Sequence, residues 1–371
     1  MNNLLRSNQK KGDYWLLVLV VLLALIGAVF IYSASNYSAK ATYGDAFFFV
    51  KKQILGIVIG FCTMLGTCFF DYNKLKKFCL PICIISFVTL ALVFVPGIGV
   101  ENYGARRWLN LGVVTLQPSE ISKFALILFC ATYFSKNPEK TRTFLGILPV
   151  LMFGLSTCVL IMLEPNMSIT VCVVLLMLAM LFSAGMKIKL FLVLLLPAII
   201  LGVILIIAEP YRLKRLSAFL NPWSSPKGEG YQLLQSLYAL GSGGFFGVGL
   251  FNSRQKYAFL PFAESDFILA VIGEEIGFIG LTFFFLLIGV IIFKGFRIAS
   301  KAKDLFGFML AMGITLIFGI QAVVNALVVT GSIPPTGLPL PLVSSGNTSI
   351  IIFMTEMGVL YNVSKKSNLT F

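Results

Sequence analysis

The chain has 371 residues, of which 58% are hydrophobic and 12% charged, and its formal net charge is +14. With a mean hydropathy of +0.93, it carries far more apolar length than the core of a soluble domain could bury. The composition therefore excludes a soluble enzyme. The chain contains no histidine, so any acid–base chemistry must use carboxylates, lysines or tyrosines.

Ten apolar runs are long enough to cross a bilayer as helices, for which about 17 to 25 residues are needed. They cover 15–33, 53–70, 80–97, 118–134, 145–163, 167–184, 189–208, 265–293, 308–330 and 345–362. We predict an all-α polytopic membrane protein with about ten transmembrane helices in a single domain, 1–371. The first run resembles a secretory signal, but its greater length favours a membrane helix.

Basic residues in the connections predict the orientation. If the N-terminus is cytoplasmic, the inner segments hold Arg6, Lys10, Lys11, Lys74, Lys76, Lys77, Lys136, Lys140, Arg142, Lys187, Lys189, Lys294, Arg297, Lys301, Lys303, Lys365 and Lys366. The short outer connections hold only Lys40, Lys51, Lys52, Arg106 and Arg107. This bias follows the positive-inside rule and predicts that both termini are cytoplasmic. Because topology accounts for most of the positive charge, there is no reason to invoke nucleic acid.

A polar cluster precedes the fourth run and continues into it. Its strings are Gly104-Ala105-Arg106-Arg107-Trp108 and Gln117-Pro118-Ser119-Glu120. The proline and serine are ordinary helix-start residues. Glu120 and Lys123 share one helix face, and charges inside a membrane helix are expected to pair and to face the protein interior or a cavity. A structural ion pair and a pair lining a substrate cavity both stay open.

A long extracytoplasmic loop, 209–264, is predicted between helices 7 and 8, and loops of this length usually carry function or are disordered. Its many aromatic residues argue against disorder, and 233–240 predicts a short amphipathic helix on the membrane surface. Its cationic residues are Arg212, Lys214, Arg215, Lys227, Arg254 and Lys256. They either extend to the interface or, with the glycines of 241–249, form a cradle for an anionic head group.

Asp266 stands where this loop meets the eighth run. Lipid makes an ionised side chain costly and a helix start stabilises it, so Asp266 marks a boundary that a lipid-tailed substrate with a polar head could reach. Glu274 and Glu275 follow in the same run, about 12 Å further along a helix. Pairing with another span and a proton relay are both open for these two carboxylates.

The last outer connection, 331–346, is uncharged and contains four prolines. It should be rigid and non-helical. At membrane depth such backbone is tolerated only where protein buries it or where it lines a cavity. We therefore expect this connection to form a wall of the same site as Asp266.

Six strings in chain order carry a family resemblance. They are Gly104-Ala105-Arg106-Arg107-Trp108, Gln117-Pro118-Ser119-Glu120 with Lys123, Glu164-Pro165-Asn166, Gly230-Tyr231-Gln232 through Gln235-Ser236 to Gly241-Ser242-Gly243-Gly244, Ser265-Asp266-Phe267 through Gly273-Glu274-Glu275, and Thr336-Gly337-Leu338-Pro339-Leu340-Pro341. Together they resemble the SEDS family of shape, elongation, division and sporulation proteins, nearest to its FtsW and SpoVE branch, with RodA next. The sequence departs from the family pattern at 260–264 and 344–348.

The resemblance implies a peptidoglycan glycosyltransferase that polymerises lipid II at the outer leaflet of a bacterial plasma membrane. It also implies a class B penicillin-binding protein as partner, and a role in cell division, cell shape or sporulation. By motif matching, Asp266 is the catalytic residue. The candidates for substrate binding are Arg107, Glu120, Lys123, Gln235 and Lys256, joined by Arg212 and Arg215 of the cationic loop.

The chemistry of such a reaction agrees with these residue types. Joining an α-linked diphosphate sugar to a hydroxyl with inversion requires a base on the acceptor and positive charge on the departing diphosphate. Asp266 would be the base, and the loop arginines and lysines would hold the diphosphate, with or without a divalent cation such as Mg²⁺ or Mn²⁺. Two other classes stay open: a lipid II flippase that uses the intramembrane charges, and a non-catalytic scaffold for the penicillin-binding protein.

Overall fold

The structure is a computed structural model that describes residues 12–102, 105–110, 112 and 115–367. This part of the chain forms twelve α-helices and one small sheet. The helices are α1 (Tyr14–Tyr43), α2 (Phe48–Phe69), α3 (Leu75–Leu92), α4 (Pro118–Lys136), α5 (Phe144–Leu163), α6 (Met167–Ser183), α7 (Ile188–Ile207), α8 (Pro210–Leu220), α9 (Tyr231–Gly243), α10 (Ile268–Ser300), α11 (Leu305–Val329) and α12 (Asn347–Lys366). Arg6, Lys10, Lys11 and Gly104, used above, lie outside the described residues.

The predicted all-α membrane architecture is confirmed in outline. Among the described residues, seven helices are long and apolar enough to cross a membrane: α1, α2, α3 with the 3-10 turn Tyr72–Lys74, α5, α7, α10 and α11. The other three predicted runs also form helices. Of these, α6 is apolar but only 17 residues long, and α4 and α12 contain buried charged side chains.

Small residues allow the inner helices to approach closely. Helix α12 packs along α2, and α11 contacts α4, α6, α10 and α12. A Cβ atom on Gly358 of α12 would lie 2.4 Å from the carbonyl oxygen of Met64 in α2, so only glycine fits at this crossing. At the periphery, α7 has no buried residue among those described and contacts α6 and α8, as expected of a helix that faces lipid.

A three-stranded antiparallel sheet lies between α3 and α4, and the sequence analysis did not predict it. Its strands are β1 (Gly99–Asn102), β2 (Ala105–Asn110) and β3 (Thr115–Leu116), with β2 in the centre. Leu109 of β2 pairs with Gly99 on one side and Leu116 on the other. The sheet is a local exception to the all-α architecture, and pairing of its short strands holds β2 and its residue Arg107.

The segment 209–264 is folded. Helix α9 covers the predicted amphipathic stretch 233–240, and a second helix, α8, carries Arg212, Lys214 and Arg215 at the start of the segment. The 3-10 turn Pro222–Ser224 lies between them. Because α8 is a helix, its cationic residues have defined positions.

Helix α10 is interrupted at Gly277, whose φ of 65° and ψ of −171° are not helical. The segment 244–249 bonds to the backbone on both sides of the break. Val248 N–H donates to the Glu274 carbonyl oxygen at 3.0 Å, and Phe278 N–H donates to the Gly244 carbonyl oxygen at 2.9 Å. Because lipid cannot satisfy backbone groups, the long loop is the partner that makes the break tolerable. The sequence predicted one continuous helix for this run.

The bonding of 244–249 to the break in α10 can be tested with a matched pair of substitutions. Gly277→Ala should destabilise the folded protein by about 2 kcal/mol or more, because left-handed backbone strains alanine and its Cβ would lie 2.3 Å from the Gly247 nitrogen. Gly289→Ala on the same helix meets nothing within 4 Å, and it should change stability by no more than about 1 kcal/mol. Thermal unfolding of the purified proteins in detergent measures both, and equal melting temperatures would contradict this bonding.

Candidate functional site

Asp266 precedes α10 by two residues and is half-buried. The hydroxyl of Ser265 donates to its Oδ1 at 2.9 Å. On α11, Asn325 Nδ2 donates at 2.8 Å to the carbonyl oxygen of Asp266 and, also at 2.8 Å, to that of Leu338. The amide of one side chain thus joins the backbone of Asp266 to the proline-rich connection.

The proline-rich connection 331–346 is non-helical, as its prolines predict, and it packs against the Asp266 segment. The Ser344 hydroxyl donates to the carbonyl oxygen of Ser265 at 2.7 Å. Ser345 N–H donates to the carbonyl oxygen of Glu264 at 2.9 Å. A Cβ on Gly337 would lie 3.2 Å from Asp266 Oδ2. The two stretches where the sequence departs from the family pattern therefore contact each other beside Asp266.

Burial sets the protonation of the two carboxyl groups here. It raises the pKa of Asp266 above the ordinary aspartate value, and the Ser265 hydroxyl and the charges of Arg107 and Arg215 partly oppose this rise. Burial also raises the pKa of Glu264, and the charge of Asp266 raises it further. Cationic neighbours thus favour the ionised form of Asp266, the form needed to accept a proton.

Arg107 extends from β2 to the end of α5. Its Nε donates to the carbonyl oxygen of Glu164 at 3.2 Å, and its Nη2 donates to that of Pro165 at 2.6 Å. Its charge interacts with Asp266 and with Arg215 of α8, and burial lowers its pKa. Arg107 therefore joins the sheet to the α5–α6 connection, within electrostatic reach of Asp266 and of α8.

The two predicted arginines of α8 differ in their contacts. Arg215 acts on Asp266 and lies 3.8 Å, Nε to Oε2, from Glu229. Arg212 instead donates to the Leu205 carbonyl oxygen in α7 at 2.6 Å and to the Tyr211 hydroxyl at 3.0 Å. Arg215 therefore belongs to the Asp266 cluster, while Arg212 joins α8 to α7.

Glu120 and Lys123 form a separate buried pair. Lys123 Nζ lies 2.6 Å from Glu120 Oε1, with only 2% and 1% of the side chains exposed. The ammonium also lies 5.7 Å from the ring centroid of Phe353 in α12, and Glu356 of α12 interacts with both charges. The predicted pairing is therefore present, in the interior between α4 and α12.

Lys256 is buried against α10. Its ammonium donates to the Phe251 carbonyl oxygen and lies 4.0 Å from Glu275 Oε1. The same carboxylate accepts bonds from the Ser33 hydroxyl of α1 and from Ser253 N–H. These contacts fix the end of the long loop on α1 and α10, and they do not direct the Lys256 charge to Asp266.

Glu274 anchors the same loop. It accepts N–H bonds from Arg254 at 3.0 Å and Gln255 at 3.4 Å, and a hydroxyl bond from Ser253. Ser242 of α9 donates to it at 3.3 Å. Glu274 thus accepts its hydrogen bonds from the loop. These bonds explain why a carboxylate is buried here, and no proton relay is needed.

Of the predicted site residues, Arg107 and Arg215 lie close enough for their charges to act on Asp266. The others lie in different surroundings: Glu120 and Lys123 pair in the interior, Arg212 and Lys256 bond within the fold, and Gln235 is half-buried on α9. Sequence reasoning missed Asn325, which supports the Asp266 backbone, and Glu164, which is 1% exposed beside Arg107. Only Glu164 had a signal, its place in the Glu164-Pro165-Asn166 string.

No group of three or more aspartate, glutamate or cysteine side chains in the described part of the chain is arranged to hold a metal ion. The seven cysteines are all free thiols. The positive charges that act on Asp266 belong to the guanidinium groups of Arg107 and Arg215. These residues do not form a cation cage of their own.

Comparison with known proteins gives matches over nearly the whole chain. A family model described as a cell cycle protein, and named for FtsW, RodA and SpoVE, matches residues 14–369. Stage V sporulation protein E of Bacillus subtilis is 40% identical over 362 residues, 97% of this chain and 99% of that protein. A probable peptidoglycan glycosyltransferase FtsW of a Geobacter species is 40% identical over 356 residues, 95% of this chain and 97% of that protein.

A solved structure agrees with these sequence matches. It comes from work on the structural coordination of polymerization and crosslinking by a peptidoglycan synthase complex, and it superposes with a TM-score of 0.80 at 26% identity. The superposition covers 95% of this chain and 97% of that one. The resemblance predicted from the six strings is confirmed: the chain belongs to the FtsW, RodA and SpoVE family.

Proposed function

We propose that this protein is a peptidoglycan glycosyltransferase that polymerises lipid II, with Asp266 as its general base. The observation that carries the proposal is the Asp266 carboxylate on which the charges of Arg107 and Arg215 act. Relatives at 40% identity include a probable peptidoglycan glycosyltransferase. A base and a cationic cluster in one place are what transfer from a diphosphate donor requires.

The reaction follows from these charges. The acceptor hydroxyl gives its proton to the Asp266 carboxylate while its oxygen attacks the anomeric carbon of the donor sugar. The bond from that carbon to the phosphate oxygen breaks, and the diphosphate leaves with the electron pair. Arg107 and Arg215 stabilise the leaving charge, for which planar guanidinium donors suit phosphate oxygens. Attack opposite the leaving group inverts the anomeric centre.

A divalent cation, Mg²⁺ or Mn²⁺, would enter with the substrate. Magnesium is commonly bound through one or two carboxylates together with substrate phosphates. The described residues form no cage of their own, so the diphosphate would supply most of the ligands. Such a cation would add positive charge at the leaving group.

The proposed setting is the plasma membrane of a bacterium, with ten spans, both termini in the cytoplasm and 209–264 outside. A class B penicillin-binding protein would crosslink the glycan product. The solved structure described above comes from work on how a peptidoglycan synthase complex coordinates polymerization and crosslinking. This supports such a partnership.

Reporter fusions test the topology. A reporter fused after Lys366, at the end of α12, and one inserted at Lys227, in an exposed turn, should report opposite sides of the membrane. An odd number of proposed spans, α8 and α9 excluded, separates the two positions. Signals from the same side would contradict the ten-span arrangement.

The buried ion pair of Glu120 and Lys123 gives a further prediction. Glu120→Gln and Lys123→Met should each reduce activity per folded protein more than the double substitution does, because either single change removes the direct partner of a buried charge, worth about 3–5 kcal/mol. Substitution of the exposed pair Asp45 and Lys51, with side chains 38% and 70% exposed, should have little effect. Simply additive losses at 120 and 123 would favour separate roles in substrate binding.

Asp266→Asn is the main test of the mechanism. The amide keeps the size and polar contact of the side chain but cannot take the proton, so polymerisation should fall by about 10²–10⁴-fold. The matched control is Asp45→Asn, a surface aspartate bonded to Lys51, which should stay near wild type. Because the pKa of Asp266 is raised, wild-type activity should be lost on acidification at a pH above the ordinary aspartate range.

The assay uses purified full-length protein and labelled lipid II, with and without the penicillin-binding partner. Glycan strands from wild type support the polymerase. Movement of lipid II between leaflets without strands would indicate the flippase instead, and neither product would indicate a scaffold. Asp266→Asn activity near wild type would contradict the assignment of the base.

A further inference from the structure

Glu164 is a buried carboxyl group that the proposed reaction does not use. It follows α5 directly and is 1% exposed. Among the described residues, neither of its carboxylate oxygens has a hydrogen-bond partner. An ionised carboxylate without bonds is costly in such a place, so its protonation state needs an explanation.

The contacts of Arg107 indicate which state is present. Its guanidinium bonds to the backbone carbonyl oxygens of Glu164 and Pro165, at 3.2 Å and 2.6 Å, and not to the Glu164 carboxylate. An ionised carboxylate next to a guanidinium normally forms a direct, often bidentate pair. The observed geometry fits a neutral acid, and it leaves the remaining N–H groups of Arg107 to other partners.

The surrounding charges are few. Among the described residues, the charged side chain that acts on Glu164 is Arg107, and burial is the larger effect, raising the pKa of Glu164 to about 8. Tyr211 and Arg215 of α8 and Asp266 act in turn on Arg107. The end of α5 disfavours a negative charge at Glu164 and the start of α6 favours one, so the two helix dipoles oppose each other.

We propose that Glu164 is held as a neutral acid and thereby keeps the Arg107 charge available to an anionic diphosphate, so that ionisation of Glu164 at alkaline pH weakens the site. Glu164 is then a positioning residue that acts through Arg107. The inference rests on the proposed function for the identity of the anion. It adds a pH limit that the base, Asp266, does not impose, because a base becomes more competent as pH rises.

The binding test uses inorganic pyrophosphate and full-length protein in detergent, titrated calorimetrically at about pH 7 and about pH 9.5. Glu164→Gln, which mimics the neutral acid, should match wild type at the lower pH and bind roughly tenfold more tightly at the higher pH, since the ionised carboxylate would offset one nearby positive charge. Because the variant and wild type are compared at the same pH, the titration of pyrophosphate affects both equally. Glu139→Gln, an exposed site in the turn Pro138–Arg142, should match wild type at both.

A ligand-free measurement reads the protonation directly. The folded-state pKa of Glu164, about 8, lies above its ordinary value of 4.5, so ionisation favours the unfolded chain. The melting temperature of wild type should therefore fall relative to Glu164→Gln as pH rises from the ordinary value towards about 8, and then level off. The same comparison with Glu139→Gln should give a constant difference.

Each contrary result has a definite meaning. A pH-independent difference in melting temperature would show that Glu164 is not a neutral acid, which overturns the inference. A binding ratio that is the same at both pH values, weaker binding by Glu164→Gln at about pH 7, or no pyrophosphate binding by either protein also overturns it. Neither measurement uses polymerisation, so failure of the proposed enzyme activity would be seen separately in the lipid II assay.

Discussion

Backbone groups inside a membrane protein must find partners within the protein, and in this chain that constraint joins the long loop to α10. The break at Gly277 exposes N–H and carbonyl groups, and the segment 244–249 satisfies them. Glu274 and Glu275 then accept bonds from 253–255. The loop is therefore bonded to α10 on both sides of the break. This holds in place the chain just before the short stretch that carries Asp266.

Buried charged groups, like backbone groups, must also find partners within the protein. The carboxyl groups near the site are buried or half-buried, and a buried carboxyl group must be paired, neutralised or bonded. Asp266 has the charges of two arginines, Glu274 has backbone N–H donors, and Glu164 has the charge of Arg107 but no hydrogen bond to its carboxyl oxygens among the described residues. The proposed roles follow these surroundings: Asp266 as the base, Glu274 as an anchor of the loop and Glu164 as a neutral acid.

Much of the fold was predictable from the sequence because a long apolar run in lipid satisfies its backbone hydrogen bonds by forming a helix. All ten runs form helices, and the prolines of 331–346 predicted a non-helical wall that contacts the Asp266 segment. The break in α10 was not predictable, since Gly277 lies in an apolar run like any other glycine and its φ depends on the distant loop. The strands around Arg107 are too short to show a period.

The site was predictable in part for the same reason. Asp266 stood out because a carboxylate at a membrane boundary is costly, and Arg107 lay in a recognisable string. Lys256 and Arg212 had the expected charge, but the direction of a long side chain is decided by the carbonyl groups within its reach, and these come from tertiary structure. Asn325 acts through its amide on a backbone carbonyl, which no composition reveals.

A structure of the Asp266→Asn protein with bound lipid II would show whether Asp266 is placed to act as the base. We expect the donor diphosphate to lie against Arg107 and Arg215, with an acceptor hydroxyl about 2.6–3.2 Å from the residue 266 side chain. A diphosphate bound elsewhere, with residue 266 out of reach of any sugar hydroxyl, would contradict it.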